Sequence, residues 1–171
     1  MANFISEDQI EKATIEVFVN KLGYRHINCF VQDGTGRENE TDVVLKPILK
    51  KKLQDLNKHL STDIIEEAFN QICQTRFDKS DLMANKEIYN LIKDGVQLSI
   101  NNTDGRQEPV CVKIIDFKDE TRNDYLVTSQ LWIKGNLRLR PDLIVYINGL
   151  PLVFIELKNS NIPIRNAYDD N

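Results

Sequence analysis

Apolar residues at helical spacing dominate the amino-terminal half of the chain. Ser6 precedes the first such stretch and Gly23 follows it, so we predict a capped helix between them. A short strand over residues 24–31 and a polar loop over residues 32–41 come next. The helical period returns from residue 43 to 94, which predicts a helical insertion, or subdomain, with helices over residues 46–60, 62–77 and 82–93.

The hydrophobic period changes from helical to alternating after Gly95, which predicts strands over residues 96–100, 110–117 and 125–133. Two further apolar runs, residues 143–147 and 152–157, flank Asn148-Gly149, a strong β-hairpin signal. The second run is apolar on both faces, which is typical of a buried central strand. We therefore predict one α/β (α+β) domain over residues 1–171, a fragment of a longer subunit, with a central mixed sheet flanked by helices.

Two acids and a lysine lie at the open end of this hairpin. Asp142 begins the first apolar run, and Glu156 and Lys158 end the second. Because side chains alternate along a strand, Glu156 and Lys158 share a face. Whether Asp142 joins them depends on the hairpin loop, since a shift of one residue moves a side chain to the opposite face.

Two lengths of the hairpin loop have opposite consequences for Asp142. A two-residue loop would set Asp142 opposite Ile155 and leave it facing away from Glu156. A three-residue loop with a bulge, Asn148 to Leu150, would set Asp142 opposite Glu156. We predict the three-residue loop, which unites the three polar side chains.

The chemistry of Asp142, Glu156 and Lys158 is that of a metal-dependent phosphodiesterase site. Two close carboxylates repel each other, and a divalent cation between them relieves the repulsion; oxygen ligands with room for water suit Mg²⁺. Lys158 would add a positive charge near the reacting phosphate. The plain alternative is an ordinary strand end with an exposed charge pair, because this short spacing is a weak signal by itself. Burying idle charges would be costly, which favours the metal site.

The segment from Arg140 to Asn159 resembles the PD-(D/E)xK nucleases. It is most similar to one branch, the N-terminal endonuclease domain of the R (restriction and translocation) subunit of type I restriction enzymes. The segment Asp142 to Lys158 is the most specific part of the resemblance. Weaker similarity extends over nearly the whole chain, through Ser6-Glu7, Leu22-Gly23-Tyr24, Leu45-Lys46-Pro47, Tyr89 to Val96, Asn123 to Gln130, and Ile133.

The resemblance implies Mg²⁺-dependent cleavage of double-stranded DNA on a restriction-endonuclease-like fold. Asp142 and Glu156 would be metal ligands and Lys158 the catalytic lysine. It also implies partners, the modification and specificity subunits, and ATP used by a translocating motor outside this chain. The family tends to carry Gln-x-x-x-Tyr on the helix after the last strand. Residues 166–171 contain Tyr168 but no glutamine, so the motif either diverges here or lies after Asn171.

Other charged residues are candidates for supporting roles at the metal. Glu11 borders the apolar stripe of the first helix, and a carboxylate from that helix reaches the metal in many nucleases of this superfamily. Glu11 is therefore a candidate third ligand, with Glu7 behind it; a solvated helix charge is the alternative. One uncharged residue, Gln130 or Trp132, is also expected to border the cleft, although core packing explains Trp132 more simply.

The candidates for contact with DNA phosphates are basic. Arginine forms bidentate hydrogen bonds with phosphate, and a basic helix face attracts the DNA backbone. A salt bridge with Asp142 is the alternative for the first two arginines, and a solvated helix face is the alternative for the lysines. The candidates are Arg138, Arg140, Arg165, Lys50 and Lys51.

Composition excludes several other classes of function. The net charge of −4 is unlike that of a free-standing DNA binder and is consistent with a module to which a larger assembly delivers the duplex. Three scattered cysteines and two isolated histidines support neither a disulfide framework, a zinc site nor a catalytic histidine, and no P-loop motif occurs. The lack of a membrane-length apolar run and of a signal peptide predicts a cytoplasmic protein with no membrane partner.

Two other functions stay open at the level of sequence. One is a non-catalytic subunit-docking module of a DNA-processing complex, in which the acidic pair is a remnant. The other is a stand-alone DNA repair nuclease. Divalent-cation binding at Asp142 and Glu156 would argue against the first, and cleavage of plain duplex DNA by the chain alone would favour the second.

Overall fold

The computed structural model describes residues 6–101, 105–158 and 165. They confirm the predicted mixed α/β architecture, in which helices flank a four-stranded mixed sheet. The chain divides into two compact units, one with the described residues up to Leu45 and from Tyr125 onwards, the other spanning Lys46–Asp124. The α-helices are α1 (Glu7–Glu16), α2 (Lys46–Leu56), α3 (Thr62–Cys73) and α4 (Asp81–Asp94). The strands are β1 (Arg25–Asn28), β2 (Val96–Asn101), β3 (Gln107–Val112), β4 (Tyr125–Ser129), β5 (Ile133–Lys134), β6 (Arg138–Leu139), β7 (Leu143–Ile147) and β8 (Leu150–Ile155).

Helix α1 begins where the sequence predicts. The Ser6 hydroxyl accepts a hydrogen bond from the Gln9 amide, and the Gln9 side chain accepts one from the Ser6 amide, so the two residues form a capping box. A π-helical turn over Val17–Lys21 extends the helix. The chain then turns at Gly23, whose φ of 73° lies in the left-handed region that glycine adopts at low cost.

The sheet of the first unit has the strand order β1-β4-β7-β8. Strands β1 and β4 are parallel, and the other two pairs are antiparallel. On one face, Val127, Leu143 and Val145 form a buried cluster against which Ile15 and Phe18 pack. Because Glu11 lies one helical turn before Ile15, this packing brings the Glu11 carboxylate to the end of the sheet where Asp142 precedes β7.

Strand β8 corrects one expectation from the sequence. Among the described residues it lies at the edge of the sheet, and Leu152, Val153 and Phe154 are 39%, 47% and 51% exposed. The predicted buried central strand is therefore wrong for residues 152–157; the interior strand is β7, in which four consecutive residues are buried. An apolar run does not distinguish an interior strand from an edge strand, because hydrophobicity alone does not specify the neighbours of a strand.

The hairpin between β7 and β8 does not have the predicted loop. Ile147 pairs with Leu150, so the loop is Asn148-Gly149, with positive φ at both residues, 52° and 83°. The three-residue loop is therefore wrong. The tight turn is favoured because asparagine and glycine both tolerate the left-handed conformation.

A β-bulge inside the hairpin nevertheless supplies the shift of one residue. Tyr146 pairs with Pro151 but Val145 pairs with Val153, so one strand residue, Leu152, is extra. Proline cannot donate to the ladder and is common at bulges and edges, which explains the irregularity beside it. Beyond the bulge Leu143 pairs with Ile155. The two strands end at this pair, and the same register continued by one residue would set Asp142 across from Glu156.

In the second unit, the described residues form three α-helices and a hairpin of two strands. Helices α2 and α3 bury Leu49, Leu53, Ile65 and Ala68, and β2 and β3 pair in antiparallel register. The helices lie where the sequence predicts them, but α2 and α3 each end about one turn earlier than expected. The bounds of the helical insertion, residues 43–94, stay a prediction. None of the helices in the described part of the chain is both long and apolar enough to cross a bilayer.

Candidate active site

A cleft of about 460 Å³ opens in the first unit beside the start of β7. Side chains from α1, from the end of β1 and the segment after it, and from the segments on either side of β5 and β6 contribute to it. Its lining is mostly polar and acidic, with one aromatic ring and one guanidinium. The lining residues are Glu7, Asp8, Glu11, Asn28, Phe30, Gln130, Arg140 and Asp142.

Gln130 connects two of the predicted metal ligands. Its side-chain Nε2 donates to Glu11 Oε2 at 2.7 Å and to Asp142 Oδ1 at 3.1 Å. Its backbone amide donates to the carbonyl oxygen of Asp142 at 3.0 Å, and its φ of 56° places it in the left-handed region. A glutamine pays an energetic cost for this conformation, which the three hydrogen bonds offset.

The electrostatics of the cleft are those of crowded carboxylates. Burial raises the pKa of Glu11, the hydrogen bond from Gln130 lowers it, and the negative charges of Asp142 and Asp8 raise it further. The net result is a pKa of Glu11 above its ordinary value. Glu11 and Asp142 therefore form a pair of acids that a nearby positive charge would stabilise.

The second oxygen of Asp142 contacts the end of the hairpin. Asp142 Oδ2 accepts a hydrogen bond from the backbone amide of Leu157 at 2.7 Å. The two chain neighbours of Leu157 form an ion pair with each other. Lys158 Nζ lies 3.2 Å from Glu156 Oε1, and both side chains are largely shielded from solvent. The predicted residues thus form two adjoining groups, Glu11 with Asp142 and Glu156 with Lys158, which the contact to Leu157 joins.

The donor set suits a hard divalent cation that keeps most of its water. Throughout residues 6–101, 105–158 and 165, no three side chains of His, Cys, Asp or Glu converge closely enough to hold a metal ion. Glu11 and Asp142, however, both reach one amide nitrogen, and Mg²⁺ is commonly held by one or two carboxylates with water as its other ligands. The oxygen chemistry therefore fits Mg²⁺.

Arg138 and Arg140 lie beside the cleft but have different surroundings. Arg138 forms a bidentate pair with Glu40, at 2.7 and 2.8 Å, and its guanidinium lies 4.0 Å from the ring centroid of Trp132. The salt bridge considered for Arg138 is thus made with Glu40. The guanidinium carbon of Arg140 lies 5.0 Å from the ring centroid of Trp132 and 5.5 Å from that of Phe30. Among the described residues, this guanidinium has no hydrogen bond or ion pair.

The other predicted phosphate contacts are not brought together with these arginines. Lys50, in the second unit, pairs with Glu66 at 2.6 Å and lies over the ring of Phe69, while Lys51 is exposed on α2. Arg165 is an exposed helical residue whose neighbours lie outside the described residues. Residues 166–171, which correspond to the Gln-x-x-x-Tyr motif, lie outside them as well.

Sequence reasoning missed much of the lining of the cleft. Gln130 and Glu7 were expected near it, but Asp8, Asn28 and Phe30 were not, and no role was assigned to Gln130. The one local signal for Gln130 was a long polar side chain directly after a buried strand. Its left-handed φ and its two carboxylate partners, 119 and 12 residues away, follow from the fold alone.

Comparison with known families identifies the family to which this chain belongs. A family model described as the N terminus of type I restriction enzyme R proteins matches residues 4–170. The chain belongs to this family. The resemblance recognised between Asp142 and Lys158 is thereby confirmed at the level of the family.

Several curated members of the family are similar to this chain over nearly its full length. A putative type I restriction enzyme endonuclease subunit (MjaIXP) of Methanocaldococcus jannaschii is 30% identical over 97% of the chain. The HindI endonuclease subunit of Haemophilus influenzae is 31% identical over 96% of the chain, and the EcoprrI endonuclease subunit of Escherichia coli is 29% identical over 98%. The chain spans 16% of the length of the first two relatives and 48% of the third.

Proposed function

We propose that this chain is the nuclease module of a type I restriction R subunit and hydrolyses phosphodiester bonds of double-stranded DNA with Mg²⁺. The observation that carries the proposal is the 2.7 Å hydrogen bond between Asp142 and the backbone of Leu157. It joins the first acid to the segment that presents Glu156 and Lys158. Membership of the family and relatives named as endonuclease subunits support the same chemistry.

Four residues share two tasks in this proposal, metal binding and activation of the attacking water. Asp142 and Glu156 would hold the cation, and Glu11, which accepts from the same Gln130 amide as Asp142, would lie beside it. A bound Mg²⁺ would polarise the phosphoryl oxygen, acidify a water molecule and neutralise the leaving oxygen. Lys158 Nζ orients the attacking water and stabilises the developing charge on the phosphate. Its ion pair with Glu156 keeps the ammonium in place.

The partners and compartment follow from the same proposal. The modification and specificity subunits and an ATP-driven motor deliver the duplex in the cytoplasm. This division of labour agrees with the net charge of −4, which gives the chain little attraction of its own for DNA. Arg140, with no ion-paired partner among the described residues, is the phosphate contact closest to the cleft.

Two substitutions in the reconstituted complex test the proposal. Lys158→Ala and Asp142→Asn should each reduce cutting by at least about 10³-fold, because both remove charge from the reacting centre. ATP-dependent translocation should be unchanged, since the motor lies elsewhere. Lys134→Ala, a change at an exposed lysine on β5, is the matched control and should cut normally. Normal cutting by either site variant would refute the assignment.

A further inference from the structure

A row of alternating arginine side chains and aromatic rings leads from β6 into the cleft. We define the arginine–aromatic row as Arg138, Trp132, Arg140 and Phe30. Glu40 anchors its outer end through the bidentate pair with Arg138, and Arg37 donates a hydrogen bond to the carbonyl oxygen of Trp132. The row is therefore held rigidly at the Arg138 and Trp132 end.

The inner end of the row is open. Phe30 is 62% exposed and lines the cleft together with Asp142. Its backbone amide donates to Asn28 Oδ1 at 3.0 Å, which fixes the turn that carries the ring. The guanidinium of Arg140 lies within cation–π distance of both Trp132 and Phe30, and its hydrogen-bond donors are unused among the described residues.

An exposed ring beside a stacked guanidinium matches the chemistry of an unstacked nucleotide. A base stacks on an aromatic face, and the guanidinium binds the adjoining phosphate in bidentate fashion. In an intact duplex the base faces are covered by neighbouring pairs, so Phe30 could contact only the sugar and phosphate. The exposed face of the Phe30 ring can therefore stack on a base only when that base has left the duplex stack.

We infer that the cleft takes a DNA strand with a locally unstacked nucleotide, whose base lies on Phe30 and whose phosphate lies on Arg140. This inference rests on the proposed function, because it places that nucleotide next to the bond to be cut at Asp142. It adds the substrate class, which is DNA whose strand is single or distorted at the site of cleavage. Arg140 is the only cation that lines the described cleft, so charge complementarity with phosphate is concentrated there.

Binding of oligonucleotides to the 171-residue chain tests the inference. Affinity is measured by fluorescence anisotropy at low salt, with Ca²⁺ in place of Mg²⁺ so that binding is observed without hydrolysis. The probes are a single-stranded DNA, the same strand with abasic sites, and the matching blunt duplex. Wild-type chain should bind the single strand at least about fivefold more tightly than the duplex, a factor at the low end of base–aromatic stacking.

Three variants separate the parts of the inference. Phe30→Leu should weaken binding of the normal single strand at least about fivefold and leave binding of the abasic strand unchanged, because only the base contact is lost. Arg140→Gln should weaken binding of every probe and reduce the dependence of affinity on salt by about one phosphate contact. Val31→Ala, a change at the neighbouring 93% exposed residue, is the matched control and should bind as wild type.

Several results would overturn the inference. They are a preference of the wild-type chain for the duplex, an equal effect of Phe30→Leu on normal and abasic strands, and no binding of single-stranded DNA. The proposed function is tested separately by cutting. A complex that cuts DNA while the chain lacks this preference refutes the inference alone. A chain that shows the preference in a complex unable to cut refutes the proposed function, and of the inference it leaves only the binding of an unstacked nucleotide.

Discussion

Gln130→Glu is the substitution that examines the candidate metal centre most directly. The side-chain nitrogen of Gln130 lies 2.7 Å from one carboxylate oxygen of Glu11 and 3.1 Å from one of Asp142, so it occupies the position that a cation would favour. Glutamate has the same shape but presents an oxygen in place of that nitrogen. The change therefore converts two attractive contacts into two repulsive ones without altering the volume of the side chain.

The structure sets the scale of the expected effect. Two charges 4 Å apart interact with about 1 kcal/mol in water and about 4 kcal/mol near a protein surface, and each lost hydrogen bond to a charged group is worth about 1.5–3 kcal/mol. A proton shared among the three carboxyl groups limits the total. We expect a loss of about 2–4 kcal/mol at pH 8 without metal, which lowers Tm by about 4–16 °C in a domain of this size. The loss should shrink at pH 5, where protonation relieves the repulsion.

Divalent cations should reverse this loss. With one additional carboxylate in the centre, binding of Mn²⁺ or Mg²⁺ should become about tenfold tighter, which corresponds to about 1.4 kcal/mol. Saturating metal should therefore raise Tm of Gln130→Glu more than Tm of the wild type. Calorimetric titration gives the affinity, and thermal unfolding with and without a chelator gives the stability.

Gln130→Met is the matched control for charge. Methionine keeps the length of the side chain and removes its hydrogen bonds, but adds no ligand, so this variant should lose stability without gaining response to metal. Identical behaviour of the glutamate and methionine variants in the presence of metal would refute the reasoning. In that case Gln130 would be a structural link between α1 and β7 and the pair of acids would not be a cation site.

Two further predictions concern pH and register. Burial lowers the pKa of His26 below its ordinary value of 6.5, so the folded state resists protonation, and stability should fall as the pH is lowered through 6.5 towards the folded pKa. His26→Gln should flatten this slope between pH 5 and 7 in denaturant titrations, and an unchanged slope would contradict the cause given. Deletion of Leu152 alone should remove the bulge but keep Val145 opposite Val153 and all later pairs, so Mn²⁺ binding should persist. Deletion of Leu152 and Val153 together should shift the register by one residue and move Asp142 to the face away from Glu156, abolishing Mn²⁺ binding while far-UV circular dichroism stays native. Retained metal binding in the double deletion would show that the register of this hairpin does not set the site.

The elements governed by local interactions could be predicted from the sequence. Ser6 and Gln9 form the capping box at the start of α1, and the Asn148-Gly149 pair forms the turn between two apolar runs. Caps, turns and hydrophobic periodicity depend on residues a few positions apart, so their signals lie in short stretches of sequence. Asp142, Glu156 and Lys158 could be proposed together for the same reason, since they flank one hairpin.

The features governed by distant residues could not be predicted. The pairing of Arg138 with Glu40 joins residues 98 positions apart, and the link from Gln130 to Glu11 spans 119. The position of β8 at the edge of the sheet depends on the order of strands, which an apolar run does not encode. The loop length was predicted wrongly because the extra residue occurs at Leu152 inside the strand, where side-chain alternation gives no local sign of it.

The sequence by itself determined the family and most of the secondary-structure segments, and it singled out the three residues proposed for the nuclease site, because these signals lie in short stretches of the chain. The tertiary structure decided how those residues meet. It set the bulge that moves Asp142 towards Glu156, the contact with Leu157, and the amide of Gln130 between two acids. These contacts depend on how α1 and β4 pack around β7, and packing between distant segments is a property of the folded chain.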